Sequence, residues 1–174
     1  NVWDLYLSQK GGGGGLKRRH HLKSHMGAVM CVAVAADGAL AVSASQEAAI
    51  IWDLKRGQML DRLVYMNKKM TGVALSPDSA FVATSLEDRS IVVWDRSHAR
   101  GLLVIKTGNS PVLSIKMANF QGQRDESRLP PHCYVAQLKG ICVVSAHEDS
   151  TIRVWDAATG MPLLGLCDPS GILL

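Results

Sequence analysis

Short apolar runs recur along the chain, and each one ends at a turn-forming group. The first series is Val29 to Val34, Leu40 to Ser43, Ile50 to Asp53 and Met59 to Val64, with Ala36-Asp37-Gly38 as a turn after the first run. A second series repeats the order: Val73-Ala74-Leu75, the turn Ser76-Pro77-Asp78, then Phe81 to Ser85, Ile91 to Asp95 and Leu102 to Ile105. The third is Val112 to Met117, Ile141 to Ser145, Ile152 to Asp156 and Leu163 to Leu166. Brief runs rich in β-branched residues, bounded by Gly, Pro, Asp or Ser, predict strands joined as hairpins. Several are apolar on both faces, as in a sheet covered by a neighbour on each side.

All four tryptophans are followed by aspartate: Trp3-Asp4, Trp52-Asp53, Trp94-Asp95 and Trp155-Asp156, at intervals of 49, 42 and 61 residues. The last three pairs close the third run of a series. An apolar strand ending in Trp-Asp, at about this period, is the repeat signature of a four-stranded propeller blade. Val2-Trp3-Asp4 then reads as the third strand of an earlier blade, and Leu16 to Leu22 as its outer strand. The fold expected is all-β: a partial propeller of three full four-stranded blades plus the last two strands of a preceding one. The divisions are 1–24 for the preceding blade, 25–66, 67–107 and 108–168 for the full blades, and 169–174 for the start of a following segment. A polar, proline-bearing stretch at about 120–134 reads as a loop inserted in the third blade. It accounts for the longest interval.

The run Gly11 to Gly15 has no side chain to pack, so it is expected to be a mobile loop. It is not a phosphate-binding loop. That motif needs Lys directly after its last glycine and then Ser or Thr, whereas here Leu16 intervenes and Arg18 follows Lys17.

These units resemble the WD-repeat (WD40) family of β-propellers over nearly the whole chain. The resemblance implies a hydrogen-bonded network in each blade: a His before the first strand, a Ser or Thr in the second, an Asp in the next turn, and the Trp. A buried indole N–H and a buried carboxylate each need a partner. Carried over by position, the network is His25, Ser43 and Trp52 in the first repeat, Thr84, Asp88 and Trp94 in the second, and Ser145, Asp149 and Trp155 in the third. Met66 and Gly108 fall where the second and third repeats would carry His, and Gln46-Glu47 replaces the first repeat's Asp. Each missing partner forgoes about 1 kcal/mol, so weaker blades than the consensus are expected. A closed propeller needs about four to eight blades. With an opening at Asn1 rather than Met, the expectation is a piece of a longer protein whose remaining blades lie elsewhere in the same polypeptide.

Composition changes this picture little. The chain has 174 residues, 47% hydrophobic and 20% charged, which is ordinary for a globular protein. No uncharged apolar stretch reaches the length of a membrane span. The net charge of +4 is local: Lys17, Arg18, Arg19 and Lys23 supply it, and the rest balances. Cys31, Cys133, Cys142 and Cys167 show no paired spacing, which suggests a reducing compartment and no disulfide framework. His132, Cys133, Cys142 and His147 match no zinc spacing, so no metal and no cofactor is expected. His147-Glu148-Asp149 can be drawn as an acid–base cluster, but Asp149 already has a structural role and no nucleophile or metalloprotease motif accompanies it. An enzyme is not expected.

The resemblance implies a protein-interaction scaffold. Blade loops before the first strand and between the second and third gather on one face. Here they bring Met26, Gln46, Glu47, Lys68, Lys69, Glu87, Arg89, Asn109, His147 and Glu148 together as the candidate partner face. The partners expected are other proteins, in a cytoplasmic or nuclear setting. One alternative is a substrate receptor of a cullin-type ubiquitin ligase. That subtype carries Arg two residues after Trp-Asp, where this chain has Lys55, Ser97 and Ala158. A second is RNA or acidic-lipid binding through the basic strand at 17–23. The lack of aromatics among its cations argues against nucleic acid, and charge on an edge strand also guards against aggregation. The first two repeats are also similar to large NACHT-and-WD-repeat scaffold proteins.

Overall fold

The computed structural model describes residues 1–6, 15–120 and 140–167, all of them in strands, turns and loops. Two strands, β1 (Val2–Tyr6) and β2 (Gly15–His20), form an antiparallel pair. Three four-stranded antiparallel sheets follow. The first contains β3 (Val29–Val34), β4 (Leu40–Ser45), β5 (Ala49–Asp53) and β6 (Gln58–Leu63). The second contains β7 (Met70–Leu75), β8 (Phe81–Leu86), β9 (Ser90–Asp95) and β10 (Arg100–Lys106). The third contains β11 (Val112–Asn119), β12 (Ile141–His147), β13 (Thr151–Asp156) and β14 (Pro162–Cys167). In every sheet the spatial order equals the chain order, with no crossover. These are three blades and part of a fourth from a propeller. Of the expected loops, residues 11–14 of the glycine run and 121–134 of the insertion lie outside the described residues, as do 169–174.

Blade stacking builds the core. Between the first and second blades, Val42, Ala44, Ile51 and Leu63 meet Met70, Val73, Val82, Val92 and Trp94. Between the second and third, Ala74, Phe81, Ala83, Ile91 and Val93 meet Val112, Ile115, Met117, Val143 and Trp155. The middle strands of the second blade are therefore buried almost throughout, β8 at all six positions and β9 at all but Asp95. That is why their sequences lack alternation: both faces are covered.

The aspartate of each Trp-Asp pair has its own work. Asp53 Oδ1 accepts the backbone N–H of Lys55 and Arg56 at 2.8 and 2.9 Å. Asp95 Oδ1 accepts that of Ser97 at 2.8 Å, and Asp156 Oδ1 those of Ala158 and Thr159 at 2.7 and 3.1 Å. Each carboxylate thus caps the turn from the third strand to the fourth, as Asx turns do. With N–H donors of Ser97 and the imidazole of His98 aimed at it, Asp95 is held at a pKa of about 2, the Ser97 hydroxyl contributing most.

These turns also share a left-handed residue. Gly57 has φ +69° and Gly160 φ +72°, but the second blade places Ala99 there at φ +48°. A Cβ in this region is strained. Ala99→Gly is therefore expected to raise stability by about 0.5–1 kcal/mol, the left-handed strain relieved less the backbone entropy that glycine loses on folding. Gly57→Ala is expected to lower it by about 1–3 kcal/mol, because a Cβ there also lies 2.5 Å from the His20 ring. Urea unfolding of both variants checks the opposite signs.

Candidate functional site

The tryptophan of each of the three full blades donates its indole N–H to a hydroxyl on the second strand of that blade. Trp52 Nε1 reaches Ser43 Oγ at 2.7 Å, Trp94 reaches Thr84 Oγ1 at 2.9 Å, and Trp155 reaches Ser145 Oγ at 2.8 Å. All three indoles are buried, as are the hydroxyls. Alternation explains the match. The residue two before each of these hydroxyls, namely Ala41, Val82 or Val143, lies directly opposite the tryptophan on the neighbouring strand. The hydroxyl follows on the same face.

The histidine differs from blade to blade. In the first, His25 Nε2 lies 2.7 Å from Ser43 Oγ, and its ring sits 6.3 Å from Trp52. In the second no histidine enters, and the Tyr65 ring stands edge-on to Trp94 at 6.1 Å. In the third, His147 Nε2 lies 2.8 Å from Ser145 Oγ, and Nδ1 lies 3.3 Å from the Ser110 carbonyl. The carbonyl can only accept, so Nδ1 carries the proton, and Nε2 accepts from the Ser145 hydroxyl. Burial dominates in lowering the pKa of His147; the bond to Ser110 opposes it and the Arg153 charge assists it.

His147 was expected on the exposed partner face, and the structure corrects this: the side chain is fully buried. It ends β12 two residues after Ser145, on the same face. Ser45 and Leu86 hold the same position in the other blades and are buried too. The same finding corrects the expectation that the third repeat lacks its histidine. The residue comes from the end of the second strand, not from the loop before the first. Strand alternation counted from Ser145 was the signal that could have found it.

Cations link loop to turn where the histidine is absent from the loop. Lys68 Nζ meets Asp88 Oδ2, and Lys106 Nζ lies 3.9 Å from the same oxygen. Burial acts against the charged form of Asp88, but the bonds from Lys68 and Ser90 prevail and hold its pKa at about 2. In the third blade Arg153 donates to Asp149 Oδ2 at 2.5 Å and to the Thr107 carbonyl. A Cβ on Gly108, whose φ is +100°, would stand 3.1 Å from that guanidinium. In the first blade, Ser45 Oγ replaces the turn aspartate and accepts from the N–H of Glu47 at 3.2 Å.

The remaining face residues sit at one end of the blades. Met26 is 86% exposed. Gln46, Glu47, Lys69, Glu87, Arg89, Asn109 and Glu148 are exposed, and Lys68 is half-buried. Lys69 pairs with Glu87 at 3.5 Å, and Arg89 donates to the Asn109 carbonyl at 3.0 Å. Position-matching missed Met66, which is 75% exposed. Met66 and Asn67 are consecutive left-handed residues, at φ 44° and 54°. The N–H of Lys68 to the Tyr65 carbonyl and the N–H of Glu87 to the Lys69 carbonyl hold that turn, at 2.8 and 2.9 Å. The basic residues lie apart from this face: Lys17, Arg18 and Arg19 are exposed on β2, and Lys23 in the loop after it. Two residues after Trp-Asp, Lys55 and Ser97 are exposed and Ala158 is buried.

Comparison with known proteins gives the same architecture. The chain matches the family "WD domain, G-beta repeat" at residues 16–53, 64–95 and 124–156, more than half of its length. Small ribosomal subunit protein RACK1y of Oryza sativa subsp. japonica is 28% identical over 144 residues, which cover 80% of this chain and 38% of that protein. Mitochondrial division protein 1 of Saccharomyces cerevisiae is 24% identical over 183 residues, covering 91% and 24%. Nuclear distribution protein PAC1 of Fusarium vanettenii is 30% identical over 149 residues, covering 82% and 30%. The chain thus spans roughly a quarter to two fifths of the length of these relatives. With three matched repeats, a Trp–hydroxyl bond in each blade and blade-on-blade packing, the chain belongs to the WD-domain, G-beta-repeat family.

Proposed function

We propose that this chain is part of a non-catalytic protein-interaction platform within a longer WD-repeat protein, and that its partner face is the loop end carrying Met26 and Met66. The observation that carries the reading is the pairing of exposure with order. Two methionines stand exposed in corresponding loops of adjacent blades, and the second is held in a strained, hydrogen-bonded turn. An ordered loop loses little entropy on binding, and exposed apolar groups on such a loop favour a protein partner. Methionine also adapts to varied surfaces. The charges around them are largely paired, so apolar contact supplies the anchor and the ion pairs form the rim.

Two further points support it. Of the cluster His147-Glu148-Asp149, His147 is committed to Ser145 and Ser110, and Asp149 to Thr151 and Arg153. The relatives are named for a ribosomal subunit, mitochondrial division and nuclear distribution. Proteins named for such different settings share the repeat array, which fits a platform whose loops choose the partner. A cytoplasmic assembly is the proposed setting.

A photo-crosslinking residue at Met66 in the longer protein is expected to capture a partner in cells, and the same residue at Met59, on an outer strand, is not. Met26→Ser with Met66→Ser should then reduce that capture about tenfold, a loss of about 1.4 kcal/mol, with an unchanged melting temperature. Equal capture at both sites, or capture unaffected by the double change, would overturn the reading.

A further inference from the structure

The methionine face leaves one group of charges unused. Lys17 and Arg18 are exposed on β2, and Lys23 just beyond it. None of the three has an ion-pair partner among the described residues. Leu22 anchors the segment by packing on Ala41, Ile50 and Trp52, so the run is fastened to the flank of the first blade. His21 stands among the cations. Partial desolvation, then the charges of Lys23 and Arg18, hold its pKa below the ordinary value.

The fold adds a cation from 35 residues further along. His20 donates its Nε2–H to the Lys55 carbonyl at 3.1 Å, which brings the β5–β6 turn against the end of β2. Gly57 permits the approach, since a Cβ there would stand 2.5 Å from the imidazole. Lys55 is exposed in that turn and has no ion-pair partner among the described residues. Arg56 beside it is held by Asp53 at 3.3 Å. The turn leads directly into β6, where Met59 and Leu60 are 49% and 48% exposed. Trp52 faces Met59 and Ile51 faces Asp61, so Leu60 is the extra residue of a bulge. From Lys55 to Leu60 the chain spans at most about 18 Å. Four unpaired cations and two apolar side chains therefore share one footprint. It lies away from the methionines. β5 runs from the Gln46-Glu47 turn to Asp53, so the Lys55 turn is at the opposite end of the blade.

We infer that this rim docks on an anionic lipid bilayer, with Lys17, Arg18, Lys23 and Lys55 on the headgroup charges and Met59 and Leu60 entering the interface. A bilayer uses both parts of the footprint. Cations within a Debye length of a negative surface are drawn to it, and exposed apolar groups gain from burial among the headgroups. Single-stranded RNA would use the cations alone, and no Phe, Tyr or Trp stands among them for base stacking. The surface goes beyond the protein-partner reading, and vesicle binding and capture at Met66 succeed or fail separately.

Co-sedimentation of the full chain with vesicles tests it. Vesicles of about 30% phosphatidylserine in phosphatidylcholine are expected to bind the chain at least about tenfold more tightly than phosphatidylcholine alone at about 0.1 M salt, with most of that gain lost at about 0.5 M. Lys55→Gln should weaken binding about fivefold, and Lys17→Gln with Arg18→Gln and Lys23→Gln about a hundredfold. Met59→Ser with Leu60→Ser should weaken it about tenfold and leave the salt dependence in place. Melting temperatures should not change; if the triple variant melts early, Lys55→Gln alone decides. Equal binding to neutral vesicles, or unchanged binding by Lys55→Gln, overturns the docking surface. An oligouridine that binds more tightly than the anionic vesicles at the same salt overturns lipid as the partner.

Discussion

Trp94→Ala is expected to destabilise the chain by about 3–5 kcal/mol, the range for truncating a buried aromatic. Trp94 packs into the junction of the first and second blades, 3% exposed, with Tyr65 against its edge. Its removal leaves a cavity between two sheets and strips the Thr84 hydroxyl of its donor. Trp94→Phe separates the two effects. It keeps most of the packing and should cost about 1–3 kcal/mol, mainly through the unpaired buried hydroxyl. Since a typical domain is stable by only about 5–15 kcal/mol, the alanine variant approaches unfolding at ambient temperature. Urea denaturation followed by circular dichroism checks both values. A cost for Trp94→Ala below about 1 kcal/mol would mean that the indole is not a keystone of the junction.

His147→Ala is expected to cost about 1–3 kcal/mol, because it takes the imidazole N–H from the buried Ser110 carbonyl and one of three partners from the Ser145 hydroxyl, which keeps Trp155 and the Arg153 carbonyl. Its loss also has a pH signature. Burial lowers the His147 pKa below its ordinary value of 6.5. Below that value the unfolded chain takes up a proton that the folded chain refuses, so the unfolded state binds more protons and stability falls as the pH falls. The contribution is therefore complete above pH 6.5 and declines in more acidic solution. His25 shifts in the same direction, chiefly through burial. Melting temperature should drop between pH 7 and pH 5. A His147→Asn variant should show a shallower drop, with His25 and His21, both shifted the same way, contributing to the remainder. An unchanged slope would show that His147 is solvated.

The sequence carried the architecture because two signals coincide. Short β-branched runs bounded by turn residues, such as Ile91 to Asp95, marked strands, and the Trp-Asp interval grouped them into blades. The hydroxyl partners were also legible, since Ser43, Thr84 and Ser145 stand at one position of the second strand. His147 was not, because a single residue next to Glu and Asp reads as a polar turn. Only the strand register shows that it still faces inward. Met66 was hidden for the opposite reason: a methionine before a strand reads as core, and the left-handed backbone that turns it outward has no glycine to announce it. The ion pairs Lys68–Asp88 and Arg153–Asp149 join residues 20 and 4 apart, and nothing in composition selects those pairs from other opposite charges.

The spelling Trp-Asp has a mechanical reason. Within one peptide unit, the first side chain bonds inward to the second strand of its blade and the second fastens the bend that brings the chain back along the rim. Neither task can move alone. A single residue inserted between them would turn one of the two side chains to the opposite face of the sheet, releasing either the inner tie or the outer bend. The dipeptide thus works as a rivet through the blade, and its two letters are as inseparable as the two ends of that rivet.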